Sequence, residues 1–298
     1  MPYRNIFIAN ESSLKLRQNQ LIVFNGEEYS FPIEDIRSIV IDNPYAKITV
    51  KLMTYLGEKG VCVIMCNDKH IPCCQLMPVG SYCRALKRIE LQQAQSKPQL
   101  KRIWQKIVIK KIENQAKCLE LNGIDSSKLI SISKSVQSGD TTNREGYAAN
   151  IYFRSLFGNA FRRDDECDIN AALNYGYAIL RSFIAKNLVA YGLEPSVGIH
   201  HRNQLNAFNL ADDLIEPLRP VVDLAVSKHT DLTDGFSTNH KAQLQKLLNS
   251  VCLVCGDKWS VAKATELEIQ SLISCFEGAD PAFLKLPELC ETAYFNYA

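Results

Sequence analysis

The chain has 298 residues, 46% of them apolar and 22% charged, with 34 Lys and Arg against 32 Asp and Glu. That length suggests two domains and a sizeable buried core, and the composition excludes a largely disordered chain. No apolar run reaches the roughly 18–20 residues of a membrane span, and the short run after Asn5 is no signal-peptide core, so a cytosolic protein is expected.

The first ~75 residues read as strands with one helix. Asn5–Ala9, the alternating Leu14 and Leu16, and Leu21–Phe24 are strand candidates. Asn25-Gly26 is a hairpin signal, because both residues tolerate positive φ. Tyr29–Phe31, Ser38–Ile41, Val61–Met65 and Ile71–Leu76 follow, and Asp68-Lys69 marks a turn. Ile48, Leu52, Tyr55 and Leu56 recur at helical spacing and predict a single helix before Gly57 and Gly60. Past Met77-Pro78-Val79-Gly80 the apolar spacing turns helical, with helices expected after Pro98 and over Asn150–Phe157, Ile169–Val189 and Leu205–Val226. The expected fold is α+β: an N-terminal β-sandwich-like domain over 1–78, then a larger all-α catalytic domain over 79–298.

Charge is uneven. Residues 81–117 hold ten Lys and Arg against Glu90 and Glu113, while residues 1–80 are balanced and the remainder is acidic. Lys101, Arg102, Lys106, Lys110 and Lys111 suit either a polyanion site or a solvated helix face. Eleven cysteines, an odd number in a chain without an export signal, do not form a disulfide framework. Cys62, Cys66, Cys73 and Cys74 lie in or beside apolar runs and read as buried packing. Cys252-x-x-Cys255 has no second close pair for zinc and no redox context, so core packing is its reading. Neither a Gly-rich phosphate loop nor a nucleophile elbow occurs.

Two segments carry the chemistry. From Gly198 to Pro220, adjacent His200 and His201 precede Asp212, Asp213 and Glu216, with Arg202 and Arg219 among them. Leu210, Leu214 and Leu218 form a stripe for the core, and Asp213 and Glu216 are an i,i+3 pair. Carboxylates with an imidazole suit a divalent ion, Mg²⁺ or Mn²⁺; the alternative is an acidic helix face with a histidine pair at its entry. The arginines suit phosphate, or else pair with the neighbouring carboxylates. In the second segment, Thr142-x-x-Glu145 fits a capping box, yet Glu145, Ala149, Tyr152 and Leu156 share one helix face. Cap and metal ligand both remain open for Glu145, since a carboxylate on an inward stripe needs a partner.

These motifs resemble the CRISPR-associated adaptation integrase family, specifically its type II branch. Arg144-Glu145-Gly146-x-Ala148-Ala149-x-x-Tyr152, Asn170-Ala171-Ala172-Leu173-Asn174-Tyr175-Gly176-Tyr177-Ala178, Gly198-Ile199-His200-His201 and Asp213-Leu214-Ile215-Glu216-Pro217-Leu218-Arg219-Pro220 occur in one order after a β-rich segment. The resemblance implies a metal-dependent DNA endonuclease and integrase that inserts short foreign fragments into a CRISPR array, a 3′-hydroxyl attacking a repeat phosphate. It implies Glu145, His201 and Glu216 as catalytic metal ligands for Mg²⁺ or Mn²⁺, with Asp213 as an auxiliary ligand. It implies double-stranded DNA as substrate, a homodimer, and a heterohexamer with the small second adaptation protein, joined by further type II adaptation proteins. The basic helix would then track DNA phosphates together with Arg202 and Arg219. A non-catalytic nucleic-acid scaffold and a thiol or zinc protein are the competing classes.

Overall fold

The computed structural model describes residues 2–77, 84–229, 232 and 235–294. The first part holds β1 (Arg4–Ile8), β2 (Ser13–Arg17), β3 (Gln20–Phe24), β4 (Glu28–Pro32), β5 (Ile36–Ile41), β6 (Lys47–Ile48), α1 (Val50–Glu58), β7 (Cys62–Cys66) and β8 (Pro72–Gln75). Two four-stranded sheets result, ordered β1-β5-β7-β8 and β4-β3-β2-β6. Leu14, Leu21 and Val23 of one sheet and Ile8, Ile39 and Val63 of the other share a single apolar cluster with Leu52 and Leu56 of α1. The β2–β3 hairpin turns at Gln18-Asn19, both at positive φ, and the β3–β4 hairpin turns at Asn25-Gly26, where Gly26 takes φ +106°.

β1, β5 and β7 run parallel. Every residue of β5 is buried, because its second face is covered too: Val40, Cys62, Ile64 and Cys66 belong to the large core of the helical part. Helix packing therefore continues onto the first sheet without an intervening solvent layer. The boundary expected after residue 78 falls outside the described residues. Cys62 and Cys66 are buried as expected, but Cys73 and Cys74 are exposed, because β8 is the edge strand of its sheet.

The second part comprises α2 (Ala85–Gln93), α3 (Lys97–Leu121), α4 (Ser127–Ser133), α5 (Arg144–Phe157), α6 (Asp168–Ala190), α7 (Asn209–Leu214), α8 (Arg219–His229), α9 (Thr238–Gln245), β9 (Ser250–Val254), β10 (Asp257–Ser260), α10 (Val261–Gly278) and β11 (Glu288–Tyr294). It is not all-α. β10, β9 and β11 form an antiparallel three-stranded sheet, and the Cys252-x-x-Cys255 run lies on its central strand and hairpin. Cys252 is buried, whereas Cys255 and Gly256 make the two-residue turn at φ +53° and +87°. Nor is 205–226 one helix. A loop runs to Phe208, and α7 is separated from α8 by a 3₁₀ turn, Glu216–Leu218, built around Pro217. Among the described residues no helix is long and apolar enough to cross a membrane.

α3 is the axis of this part. Ser96 accepts from the Gln99 N–H, Pro98 sits in the first turn, and Ile103, Trp104, Ile107, Val108 and Ile112 are buried along 25 residues. α6 lies against α8 so closely that a Cβ on Gly176 would meet Val222 Cγ1 at 2.4 Å. These contacts bring the starts of α5, α8 and the 198–201 loop around α3.

Candidate active site

Glu145 stands at the start of α5 but does not cap it. The N-cap is Asn143, in the left-handed region, whose Oδ1 accepts from the Gly146 N–H. Asp140 accepts from the Arg144 and Glu145 N–H groups at 2.8 and 3.0 Å. Thr142 is not the capping residue, and with the N–H groups satisfied by others the Glu145 side chain is free to reach inward.

It reaches Lys111. The Lys111 ammonium lies 2.5 Å from Glu145 Oε1 and 2.5 Å from Glu216 Oε2, and Arg219 Nε donates to Glu216 Oε1 at 2.9 Å. The Lys111 and Glu216 side chains are 8% and 5% exposed, so these charges meet out of water. Burial alone would raise the Glu216 pKa; Arg219 and Lys111 outweigh it and hold the carboxyl well below the usual carboxylate range. Burial opposes the Lys111 charge, but Glu216 and Glu145 together raise its pKa above the ordinary value. Lys111, Glu145, Arg163, Tyr177, Glu216 and Arg219 line a cavity of about 250 Å³. At its rear the buried Asp223 accepts from Tyr152 and Tyr177; burial pushes its carboxyl up to about 6 against the pull of those hydroxyls. The Arg219 guanidinium rests 4.6 Å from the Tyr177 ring centre.

The histidine loop is held by Asp213. Its Oδ2 accepts from the Ile199 and His200 N–H groups, and its Oδ1 accepts from the His201 N–H at 3.1 Å and faces His201 Nδ1 at 2.8 Å. An ionised carboxylate only accepts, so His201 Nδ1 carries the hydrogen and Nε2 is the free nitrogen. The bond to Asp213 raises the His201 pKa above its ordinary value; burial opposes it, and the charges of Asp213, Glu216 and Asp212 add to the rise. His200 stacks flat on Trp104 of α3, centres 4.2 Å apart, while His201 meets the same indole edge-on at 5.7 Å. Gly198 is required by close approach: a Cβ there would lie 2.3 Å from the His201 carbonyl oxygen. Asp213 and Glu216 thus do different work despite their i,i+3 spacing, because α7 ends between them.

Of the basic residues, Lys101 and Arg202 come together around His200 with Lys97, lining a cavity of about 250 Å³. Arg102 is exposed on the same helix, and Lys106 is half-buried toward Cys275, whose thiol feels its charge. Lys110 and Lys111 do not belong to a phosphate-facing row: Lys110 pairs with Glu113 and Glu288, and Lys111 is the buried cation between the carboxylates. Arg219 is tied to Glu216, the alternative to phosphate contact that the sequence left open.

Among the described residues no three His, Cys, Asp or Glu side chains converge as a ready metal cage. The carboxylate pair does fit a hard cation, since Glu145 and Glu216 already close on one ammonium. His201 stands apart from that pair, on a cavity of about 610 Å³ that also includes Gln92, Arg202 and Asn203.

The family model for CRISPR associated protein Cas1 matches residues 6–242. The chain belongs to the Cas1 family. A CRISPR-associated endonuclease Cas1 from Neisseria meningitidis serogroup C is 39% identical over the full length of both chains. The Cas1 likeness extends to solved structures. A casposase bound to integration product superposes with a TM-score of 0.74 at 19% identity, covering 94% of this chain and 92% of that one. A Cas6-RT-Cas1–Cas2 complex gives 0.71 at 16% identity, covering 94% of this chain and 36% of that one. At such identities these structures show a shared fold.

Proposed function

We propose that this Cas1 chain is a divalent-ion-dependent DNA integrase and endonuclease of CRISPR adaptation, of the type II branch, joining the 3′-hydroxyl of a short fragment to a repeat phosphate by transesterification. The observation that carries this reading is the convergence of Glu145 and Glu216, from separate elements, on a single cation. The Neisseria relative's name and the casposase captured with its integration product support the reaction class.

In this reading Glu145 and Glu216 hold Mg²⁺ or Mn²⁺, His201 approaches through Nε2, and the ion supplies Lewis-acid stabilisation of the phosphate charge. Asp213 is a positioning residue rather than a ligand: both its oxygens are occupied by the 199–201 loop. Asp213 fixes the His201 tautomer and leaves Nε2 able to ligate or to take the proton of the attacking hydroxyl. Arg219 keeps Glu216 ionised and oriented. Lys97, Lys101 and Arg202 receive backbone phosphates beside the histidine loop. The reading includes a homodimer and a hexameric assembly with Cas2, a partner class present in the solved Cas1–Cas2 complex.

The test mixes the full chain, its Cas2, a short duplex with free 3′ ends and a supercoiled plasmid carrying a repeat. Joined product with Mn²⁺ that disappears with EDTA is expected. DNA binding without cleavage or joining under any metal condition, even with the other adaptation proteins added, would favour the non-catalytic scaffold.

A further inference from the structure

Lys111, which the proposed chemistry does not use, is the cation that meets both carboxylates of this site. Its stem continues the buried face of α3, four and eight residues beyond Ile107 and Ile103, and only its ammonium emerges, into the gap between Glu145 and Glu216. Glu216 Oε2, the oxygen it touches, has no hydrogen-bond partner of standard geometry although it is buried. The contact is therefore a charge neutralisation more than a directed bond. Two carboxylates presented from different elements repel one another unless a cation lies between them. Arg219 satisfies the other Glu216 oxygen and is held against Tyr177. Lys111 alone stands between the pair among the described side chains.

We propose that Lys111 is a tethered counter-cation that occupies the divalent-ion position of the Glu145–Glu216 pair and must yield it for the ion to bind. The inference rests on the ion-dependent reading above. With Lys111 and Arg219 facing Glu145 and Glu216, the four charges balance. A divalent ion added beside an unmoved ammonium would leave two surplus positive charges in a half-enclosed cavity, so ion and ammonium exclude one another. The free protein then keeps its carboxylates in place without metal, at the cost of weaker metal binding. A DNA phosphate entering the cavity would offset the surplus and favour the ion.

The experiment titrates Mn²⁺ into the full chain, following the free-ion electron paramagnetic resonance signal, for wild type, Lys111→Met and Lys111→Arg. Lys111→Met is expected to bind Mn²⁺ roughly tenfold or more tightly, the scale of one lost charge-assisted contact, while Lys111→Arg binds no more tightly than wild type. The metal-free Lys111→Met protein should also melt lower than wild type and gain more from Mn²⁺. A purely structural lysine would not tighten metal binding when removed. Should Lys111→Met not fold, Lys111→Gln takes its place with the same expectation. Equal or weaker Mn²⁺ binding by the folded uncharged variant, with wild type binding normally, overturns this inference alone. Binding by neither protein overturns it together with the ion-dependent reading.

Discussion

Asp213 and Glu216 are three residues apart and both buried, yet they meet different partners. Asp213 gives its oxygens to three backbone N–H groups and the His201 ring, whereas Glu216 faces Lys111 and Arg219. Removing Asp213 leaves buried donors without an acceptor, at a cost on the order of 3 kcal/mol or more. Chemical denaturation of Asp213→Ala against wild type checks it, and a loss below about 1 kcal/mol contradicts it. His201 sets the pH dependence. Its pKa is raised by the bond to Asp213, so less of the ring is neutral at a given pH than for an ordinary histidine, and the neutral form needed for ligation grows as the pH rises. The kcat/KM for joining, which reports the free enzyme, should therefore rise with pH through a midpoint above 6.5. A profile flat from pH 6 to 8 would contradict the histidine's part. At this scale the meeting of Glu145 and Glu216 was legible, because both sit in recognisable strings, whereas His201 lines a separate cavity. Lys111 was not legible, since a lysine in a basic run looks solvated. The signal was present in Ile103, Ile107 and Lys111 at four-residue spacing, which puts the lysine on the apolar face.

The elements follow the same division. Strands β2 to β4 were legible because alternation and turn residues agree, although the Gln18-Asn19 turn carries no glycine to announce it. The break between α7 and α8 was not legible. Leu210, Leu214 and Leu218 keep helical spacing straight through Pro217, and the backbone meets it with a 3₁₀ turn whose first residues need no N–H partner. The C-terminal sheet was missed because its central strand is five residues long and its turn uses Cys255 where Asn would be the usual signal. Gly198 gives the element-scale prediction. Gly198→Ala must displace the His201 backbone, which a Cβ would approach to 2.3 Å. Joining should fall by roughly 100-fold, the scale of a catalytic group moved by about 1 Å. Retention of full activity would show that the loop need not hold this geometry.

On the scale of the whole molecule, one core runs from the β1-β5-β7-β8 sheet through α3 and α6, so the sheet supports the face that carries the site. The basic segment divides accordingly. Lys110 and Lys111 are consumed by internal pairs, while Lys101 remains exposed near Arg202 and Arg102 is exposed on the same helix. Charge reversal at Lys101 and Arg102 should weaken DNA binding and reduce the slope of log affinity against log salt by roughly one per lost phosphate contact. An unchanged slope removes that face from the DNA path. Lys110→Glu should instead leave the slope alone, since its ammonium lies between Glu113 and Glu288.

In the proposed function Glu145 and Glu216 act as a pair on a divalent ion in DNA joining. Its most direct test is strand transfer of an end-labelled duplex into a repeat by wild type, Glu145→Gln and Glu216→Gln, with Mn²⁺ and Cas2 present and DNA binding measured alongside. Joined product is expected from wild type only, with both variants folded and still binding DNA. Joining by either variant at the wild-type rate would contradict it.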